Sequence, residues 1–460
     1  MSAVRAERAG GPLVTVYVVN RNYGRFLQQA IDSALSQDYP FLEVLVVDDA
    51  SDDSSAEVLN RFAGDPRVQI IRNQVNRGLT VSSNTAIRAS RGELVMRLDA
   101  DDYLAPSAIS KMVVEMVSEP STVLVFPDYF EVDARGTTIR RVQRHDFNAL
   151  EALSDLPAHG ACTLVRREFI EALGGYDEEI PCQDGLDLWL SLNPQQRALR
   201  VGDPLFSYRQ HGDNLTRDEG ALLRARAKLI AKHVARRGLR RPRVLGIVPV
   251  RGQAVDPGSL PLRFLGDRPL IEWSVDEGLS CDRIDRLIVS SPDTDVLDHV
   301  RHRYGSRVGV HHRRVEAAGL NVDLARTQSD VLETEANEDR YYDFVMTLTI
   351  ESPFRSAMYV QQAVDTMQLF DADGVVGVRR DDDAFYLHDG LGLRPTRSEG
   401  QLRRERDDLF RACGGMHLSR LTGCRSPART GHVLLDQVAA FAVHTELDWG
   451  IAKHLAGLRR

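Results

Sequence analysis

Short apolar runs alternate with amphipathic stretches through the first hundred residues. The apolar run "LVTVYVV" is followed by helical spacing in "GRFLQQAIDSALSQ", and the alternation continues through "LEVLVVDD", "SSAEVLNRFA", "VQIIRN", "TVSSNTAIRAS" and "GELVMRLDADD". Continuous apolar runs are typical of parallel strands that are buried on both faces. The pattern therefore predicts a parallel sheet with helices on both faces, whose ligands bind beyond the carboxyl ends of the strands.

The same pattern begins again in the second half of the chain. It starts with "RVLGIVPV" at Arg243 and continues through "DRLIVSS", "VGVHH", "DFVMTLTI" and "GVVGVR". A chain of 460 residues is also too long for one ordinary hydrophobic core. We therefore predict an α/β protein with two α/β domains of the nucleotide-binding type.

A basic helix and linker separates the two predicted domains. Apolar residues recur at helical spacing from Leu222 to Val234, and the pattern ends in Gly238 and a run of arginines before Pro242. Glycine and proline in these positions are typical of a helix end. The predicted divisions are residues 1–218, 219–242 and 243–460.

Composition and charge exclude several classes of function. The net charge of -8 argues against general affinity for nucleic acid. No apolar run reaches the roughly 18 residues of a membrane helix, and "MSAVRAERAGGP" lacks the apolar core of a signal peptide. We expect a cytoplasmic protein. The arginines from Arg236 to Arg243 allow peripheral contact with an anionic membrane surface, although an exposed helix face is the simpler interpretation.

An acidic turn follows one of the predicted strands. Asp99 and Asp101 stand two residues apart in "VMRLDADDYL", with Asp102 beside them, and Asp48 and Asp49 end another predicted strand. Parallel pairing would bring these carboxylates to one crevice. The spacing lets two of them face one divalent cation, and oxygen ligands suit Mg²⁺ or Mn²⁺. Such a cation neutralises a diphosphate leaving group. The alternative is an ordinary acidic turn.

Four stretches of the first 218 residues resemble family 2 glycosyltransferases with a GT-A fold. They are "VVNRNYGRFLQQAIDSALSQDYPFLEVLVVDDASDDSS", "NRGLTVSSNTAIRASRGELVMRLDADDYL", "GGYDEEIPCQDGLDLWLSL" and "SYRQHGDNLT", in the family's order. By this resemblance the nucleoside of the donor lies near Asn20 and Asp48, with Asp99 also facing the nucleotide. The resemblance implies Asp101 as the direct ligand of Mn²⁺ or Mg²⁺, and His211 as a later ligand to the metal or the diphosphate.

The resemblance also implies a catalytic base, Asp184 in "CQDGLDLWL". Such a base takes the proton of the acceptor hydroxyl while the anomeric carbon is attacked from the face opposite the leaving group. Asp187 has the same chemistry, but a carboxylate at a helix N-terminus also has structural value. We interpret Asp49 and Asp52 as caps of the following helix.

Two positions depart from the family. Ser83 stands where many relatives have an arginine that helps to hold the nucleotide, and Arg21 stands where an aromatic residue is frequent. Both UDP- and GDP-linked sugars therefore stay open as donors.

The second half of the chain resembles CMP-sialic acid synthetases and related cytidylyltransferases. The matching stretches are "VLGIVPVRG", "LGDRPLIEWSV", "IDRLIVSSPD", "TIESPFRSA", "RRERDDLFRACGGMHL" and "HTELDWGIAKHL". Nucleotidyl transfer needs cationic side chains and metal around the phosphates. The loop "RGQAVDPGSLPLRF" keeps Arg251 as a nucleotide candidate, but no lysine occurs between Lys232 and Lys453.

The metal-binding residues of that second family are also missing. Its late pair of aspartates would fall on Ala442 and His444, and only Asp448 survives nearby. One interpretation is a degenerate domain kept for binding, regulation or formation of a homo-oligomer. The other is activation of an unusual substrate by rearranged ligands such as Asp256, His444 and Asp448. The combined losses favour the first.

The sequence therefore predicts a metal-dependent, inverting glycosyltransferase of the hexosyltransferase type. It would move a sugar from a UDP- or GDP-linked donor to a glycan or lipid-linked acceptor, in surface polysaccharide synthesis. One alternative is a bifunctional protein whose C-terminal domain makes a CMP-activated sugar. The other is an inactive binding or scaffold protein.

Overall fold

The buried strands that the apolar runs predict are present in the computed structural model. It describes residues 11–143, 160–212, 218–253, 255–319, 323–381, 383, 385–388, 390–396, 409–426 and 428–458. Residues 213–216 of "SYRQHGDNLT" and residues 403–408 of "RRERDDLFRACGGMHL" lie outside these ranges. The chain divides into two compact units, Met1–Leu229 and Ile230–Arg460.

The N-terminal unit is built around a nine-stranded sheet among its described residues. The strands are β1 (Val14–Asn20), β2 (Leu42–Asp48), β3 (Val68–Arg72), β4 (Leu94–Asp99), β5 (Tyr103–Leu104), β6 (Thr122–Val132), β7 (Thr138–Val142), β8 (Leu164–Arg166) and β9 (Arg197–Arg209). The helices are α1 (Gly24–Leu35), α2 (Ser55–Asn60), α3 (Leu79–Ala89), α4 (Ala108–Ser118), α5 (Arg167–Ala172), α6 (Asp184–Leu190) and α7 (Glu219–Arg236).

The division between the units falls inside α7, which ends before Gly238 in the left-handed conformation (φ 58°). This division falls within the predicted helix and linker of residues 219–242.

The sheet is mixed, whereas the sequence predicts a parallel one. The order is β3-β2-β1-β4-β8-β6-β9-β5, with β7 beside β6, and only the first four strands form a continuous parallel block. Strand β8 runs antiparallel to both of its neighbours. Its three residues are too few to show a period along the chain, so this reversal leaves no trace in the hydrophobic pattern.

Both faces of the parallel block are buried, as continuous apolar strands require. Val16 and Val18 belong to a cluster that α1 and α4 cover, whereas Tyr17 packs into a second cluster with α3 and α5. Because successive side chains of a strand point to opposite faces, one strand contributes to both cores. The predicted α/β class is confirmed.

The C-terminal unit repeats this plan with a seven-stranded sheet in the part of the chain that is described. Its strands are β10 (Val244–Pro249), β11 (Phe264–Leu265), β12 (Arg268–Pro269), β13 (Arg286–Ser291), β14 (Val308–His312), β15 (Phe344–Leu348), β16 (Gly374–Asp381), β17 (Tyr386–His388), β18 (Leu393–Pro395), β19 (Leu409–Arg420) and β20 (Thr430–Leu434). Its helices are α8 (Leu270–Leu279), α9 (Thr294–Tyr304), α10 (Leu324–Ala336), α11 (Ala357–Phe370) and α12 (Glu446–Leu458).

Strands β14-β13-β10-β15 are parallel and are followed by β19-β16-β20, in which β19 runs antiparallel to both neighbours. Two separate hairpins pair β11 with β12 and β17 with β18. None of the described helices is long and apolar enough to cross a membrane.

Asp53 holds the N-termini of α1 and α2 together. One of its oxygens accepts hydrogen bonds from Ser55 N and Oγ at 3.0 and 2.5 Å, and the other accepts one from Gly24 N at 2.8 Å. Assigning the cap to Asp49 and Asp52 was wrong. Asp49 instead binds the loop that precedes α3, and no described residue donates a hydrogen bond to the Asp52 carboxylate.

We predict that Asp53→Ala lowers the stability of the N-terminal unit by about 1 to 2 kcal/mol, because two helix N-termini lose their acceptor. Burial opposes the charge, but hydrogen bonds from Ser55 and Gly24 lower the pKa of Asp53. The contribution is therefore present at neutral pH and is lost as the pH falls below about 4. Thermal melting followed by circular dichroism at pH 7 and pH 3.5 measures both effects. Asp52→Ala is the matched control, and an equal loss in both variants would contradict the assignment.

Candidate active site at the carboxyl edge of the N-terminal sheet

Three predicted site residues lie at the carboxyl ends of adjacent parallel strands. In the register of the sheet, Asn20 at the end of β1 is beside Asp48 at the end of β2, and Val19 is beside Asp99 at the end of β4. Their positions follow from the parallel pairing of three apolar runs. The strand order thus brings residues that are up to 79 positions apart in sequence to one edge.

Asn20 is fully buried at the centre of a polar network. Its amide nitrogen lies 2.8 Å from Asp48 Oδ1, 2.9 Å from Ser55 Oγ and 3.1 Å from Ser51 Oγ. An amide nitrogen has two protons, so it donates to two of these oxygens at a time. The side-chain oxygen of Asn20 has no hydrogen-bond partner among the described residues. A buried acceptor without a donor is costly, and a ligand N–H or O–H would satisfy it.

Asp101 and His211 are brought together from opposite ends of the unit. His211 Nε2 lies 2.9 Å from Asp101 Oδ2, and the His211 side chain is 3% exposed. The imidazole packs against Phe26 and Tyr23, with ring centroids 5.2 and 5.5 Å away. The aromatic rings therefore fix the imidazole beside the acidic turn. No motif in the sequence predicted these two aromatic contacts.

A buried arginine that the sequence analysis missed shapes the same turn. Arg209 is 2% exposed, and its backbone N–H donates to Asp102 Oδ1 at 2.8 Å. Its guanidinium donates to the Asp101 carbonyl and to Gln29 Oε1, both at 2.8 Å. It also lies over the Phe26 ring, 4.7 Å from the centroid. The arginine of "YRQHGDN" thus holds the turn, and the motif itself was the available signal.

Two carboxylates of the turn, Asp99 and Asp102, have raised pKa values. Burial raises the pKa of Asp102 well above its usual range, and the charges of Asp101 and Asp99 add to the effect. Limited access to solvent raises the pKa of Asp99 to about 6, although Arg97 opposes the rise. Asp102 Oδ2 is buried without a hydrogen-bond partner among the described residues. Removing the negative charge of Asp102 therefore reduces the repulsion between the carboxylates of the turn. A bound cation would reduce this repulsion for the whole cluster.

Asp184 joins the acidic turn through a second buried arginine. Arg97 Nη1 lies 2.5 Å from Asp184 Oδ2, and Arg97 Nε lies 2.8 Å from Asp99 Oδ1. Asp184 is the first residue of α6, after Gln183 in the left-handed conformation (φ 68°). Asp187 is also buried in the first turn of α6. The structure thus connects Asp184 with Asp99 through one side chain that the sequence analysis did not single out.

Asp101 and His211 fit a divalent cation by their chemistry. Within the described ranges, no group of three or more His, Cys, Asp or Glu side chains could hold a metal ion. A site for Mg²⁺ or Mn²⁺ commonly uses one or two protein ligands, with water and substrate phosphates as the others. A carboxylate and an imidazole that share a 2.9 Å contact meet this requirement. The rearranged ligands considered for the C-terminal unit, Asp256, His444 and Asp448, are all described and form no such group either.

The C-terminal unit uses its predicted residues differently. Asp448 Oδ2 accepts hydrogen bonds from the backbone N–H groups of His444 and Thr445 at 3.1 and 2.9 Å, so it caps α12. Asp256 Oδ1 accepts one from Gly258 N at 3.0 Å. These two carboxylates therefore stabilise local backbone structure.

Two arginines follow strands that end at the carboxyl edge of the C-terminal sheet. Arg251 follows β10 and is 47% exposed, with Nη1 3.9 Å from Asp256 Oδ2. Arg313 follows β14 and is 2% exposed, and its Nη2 donates to the Val250 carbonyl at 2.6 Å. Burial and the charge of Arg251 lower the pKa of Arg313 to about 10. Arg313 forms no ion pair with any described carboxylate, and its Nε has no described partner.

We predict that Asp102→Asn leaves the melting temperature unchanged or raises it, because asparagine keeps the oxygen that accepts from Arg209 N and removes a buried charge. Asp102→Ala is the matched comparison. It leaves that N–H without an acceptor and is expected to cost about 1 to 3 kcal/mol. Thermal melting at pH 7 measures both variants. A larger loss in Asp102→Asn than in Asp102→Ala would show that the charge itself stabilises the turn.

Two families match separate parts of the chain. Residues 15–174 match glycosyl transferase family 2, and residues 258–394 match the cytidylyltransferase family. The predicted combination of the two is confirmed, with one family in each unit.

Curated relatives match the N-terminal part of the chain. The chain is 28% identical over 205 residues to a chondroitin synthase of Pasteurella multocida (strain Pm70) and, over the same length, to a hyaluronan synthase of Pasteurella multocida. Each match covers 44% of this chain and 21% of the relative. The chain thus matches about a fifth of the length of these synthases.

Among solved structures, the chain is similar to a mannosyltransferase from Pyrobaculum calidifontis in complex with GDP-Man and Mn²⁺. The two are 25% identical with a TM-score of 0.39, over 50% of this chain and 65% of the other.

Proposed function

We propose that the N-terminal unit, whose residues 15–174 match glycosyl transferase family 2, is a metal-dependent, inverting glycosyltransferase. It moves a sugar from a UDP- or GDP-linked donor to a hydroxyl of a glycan or lipid-linked acceptor. The observation that carries the proposal is the meeting of four separate segments at one sheet edge. Asn20, Asp48 and Asp99 come from the strand ends. His211 contacts Asp101 of the acidic turn at 2.9 Å, and Asp184 contacts Arg97 of β4 at 2.5 Å.

The nucleotide binds at Asn20, Asp48 and Asp99. The unpartnered oxygen of Asn20 supports this assignment, because a nucleobase or ribose offers the donor that the buried amide lacks. Asp48 is held beside Asn20 by Ser51, which donates to Asp48 Oδ1 at 2.6 Å. These hydrogen bonds therefore hold the polar atoms of Asn20 and Asp48 in place for the nucleotide.

Asp101 and His211 hold the cation, either Mn²⁺ or Mg²⁺. When bound, the cation offsets the charge that develops on the leaving diphosphate. Phe26 and Arg209 keep the imidazole and the turn in place, so little reorganisation is needed when the donor arrives.

Asp184 is the general base. Its carboxylate takes the proton of the acceptor hydroxyl as the acceptor oxygen bonds to the anomeric carbon and the bond from that carbon to the diphosphate breaks. Attack from the opposite face inverts the configuration. The names of the curated relatives, synthases of chondroitin and hyaluronan, support a polysaccharide as the product class.

We predict that Asp101→Ala removes Mn²⁺-dependent binding of UDP or GDP together with donor turnover, because the cation loses its carboxylate ligand. Asp184→Asn should keep nucleotide binding but lower turnover by about 10² to 10⁴-fold, the range for loss of a general base. Calorimetric titration of UDP and GDP, with Mn²⁺ or with EDTA, measures binding. Release of nucleotide from a panel of UDP- and GDP-sugars measures turnover.

Asp203→Ala is the control for both variants, since Asp203 is 54% exposed and pairs only with Lys111 among the described residues. Full activity of Asp101→Ala or Asp184→Asn would contradict the assigned roles. If the wild-type chain turns over no donor, the alternative of an inactive binding or scaffold protein stands.

A second candidate function concerns the C-terminal unit, which we propose binds the phosphates of a nucleotide without turnover. The buried Arg313, without a carboxylate partner in the described part of the chain, favours an anion beside Arg251. Turnover is disfavoured because no lysine occurs between Lys232 and Lys453, and because Ala442 and His444 stand where the family has its late pair of metal-binding aspartates.

We predict that CTP raises the melting temperature of the full chain, and that Arg313→Gln and Arg251→Ala each remove this shift. Binding at 100 times Kd stabilises by about 2.7 kcal/mol, which is readily detected. Arg301→Ala is the control, because Arg301 is exposed and pairs with Asp298. Release of pyrophosphate from CTP and an acidic sugar would instead support a bifunctional enzyme, and the absence of any shift would contradict nucleotide binding.

A further inference from the structure

Arg97 is a buried cation between the two halves of the proposed active site. It is 5% exposed on β4, two residues before Asp99. One edge of its guanidinium faces the carboxylate assigned to the nucleotide, and the other faces the carboxylate assigned to the acceptor. Burial disfavours its charge, but Asp184 and Asp99 outweigh that effect and raise the pKa of Arg97. It therefore stays protonated.

The Asp184 carboxylate is constrained from two sides. Arg97 Nη1 binds Oδ2 at 2.5 Å. On the other side stands Gly160, where a Cβ atom would lie 2.1 Å from Oδ2 and 2.9 Å from Oδ1. No real Cβ atom tolerates such a contact, so only glycine leaves room for this position of the carboxylate. No described residue donates a hydrogen bond to Oδ1, which leaves one oxygen held and the other available.

Several titratable groups surround this carboxylate. Burial raises the pKa of Tyr17 to about 12 and that of Tyr176 well above its usual range, so both phenols stay neutral. Arg97 is thus the positive charge that balances Asp184. The other titratable neighbours are mostly neutral or acidic, and they are Tyr17, Tyr176, Cys182, Asp99 and Asp187.

We propose that Arg97 is the positioning residue of the base, holding Asp184 Oδ2 against Gly160 so that Oδ1 accepts the proton of the acceptor hydroxyl. The inference rests on the proposed function of Asp184. In the step, the proton moves from the acceptor oxygen to Oδ1, the oxygen bonds to the anomeric carbon, and the electron pair of the broken bond leaves with the diphosphate. Arg97 itself exchanges no proton and touches no reacting atom.

A purely structural ion pair would behave differently. Removing one partner of a buried pair destabilises a protein whatever its place in the fold. A positioning role also lowers the turnover rate in variants that stay folded, and it leaves nucleotide binding intact. A misplacement of about 1 Å in a reacting group can cost on the order of 100-fold in rate. The two roles are therefore separated by comparing kcat with affinity and stability.

The experiment uses the full chain with Mn²⁺ and the probe donors UDP-N-acetylglucosamine, UDP-glucose, UDP-glucuronic acid and GDP-mannose, with water as the acceptor. Arg97→Gln and Gly160→Ala are each expected to lower kcat on the order of 10- to 100-fold, with UDP or GDP affinity within about threefold of wild type. Arg97→Lys keeps the charge and should recover part of the rate. Asp184→Asn, measured in the same assay, gives the kcat that remains when the general base is absent.

Arg200→Gln is the matched control, because Arg200 also pairs with a buried carboxylate, that of Asp128 at 2.8 Å, outside the site. It should lower the melting temperature and leave kcat unchanged.

Wild-type kcat in Arg97→Gln or Gly160→Ala, with Asp184→Asn inactive, would overturn this inference alone. If Arg97→Gln lost nucleotide affinity together with kcat, Arg97 would act on the nucleotide through Asp99, and the positioning role would be contradicted. Should Arg97→Gln not fold, Gly160→Ala decides. Turnover by Asp184→Asn, or none by wild type, would overturn the proposed function as well.

Discussion

Mutual repulsion of carboxylates at the carboxyl edge of the N-terminal sheet is the constraint on which the rest of this unit depends. Asp99, Asp101 and Asp102 share one turn, in which Asp101 and Asp102 are buried and Asp99 is partly buried. The charge of Asp101 helps to raise the pKa of both Asp99 and Asp102. Two buried arginines oppose this repulsion. Arg209 holds the backbone of the turn from one side, and Arg97 connects it to Asp184 from the other.

Buried contacts hold the side chains of this site in place. Removing Arg97 from its buried pair with Asp184 would cost about 3 to 5 kcal/mol, a large fraction of the stability of a domain. The aromatic rings of Phe26 and Tyr23 add a second constraint, since they fix His211 against Asp101. Catalytic residues held in this way need little rearrangement when charge develops on a substrate.

The two units share a strand order but differ in the charge at the corresponding edge. Each begins with four parallel strands in the order third, second, first, fourth along the chain, and each then adds antiparallel strands. In the N-terminal unit the edge is acidic and suits a cation. In the C-terminal unit it has Arg251 and the buried Arg313, while Asp256 and Asp448 stabilise turns and a helix end. Similar topology therefore places residues of opposite charge at the corresponding edges of the two sheets.

The sequence by itself determined the α/β class, the parallel strands of both units and the strand ends that hold Asn20, Asp48 and Asp99. These depend on local hydrophobic periodicity, which is written along the chain. Only the tertiary structure decided the antiparallel strands, the role of Asp53, and the contacts of Arg97, Arg209 and Gly160 with the carboxylates. Arg97 and Asp184 are 87 positions apart, and Arg209 and Asp101 are 108. No local pattern encodes such contacts, because they depend on strand order and on which face each side chain occupies.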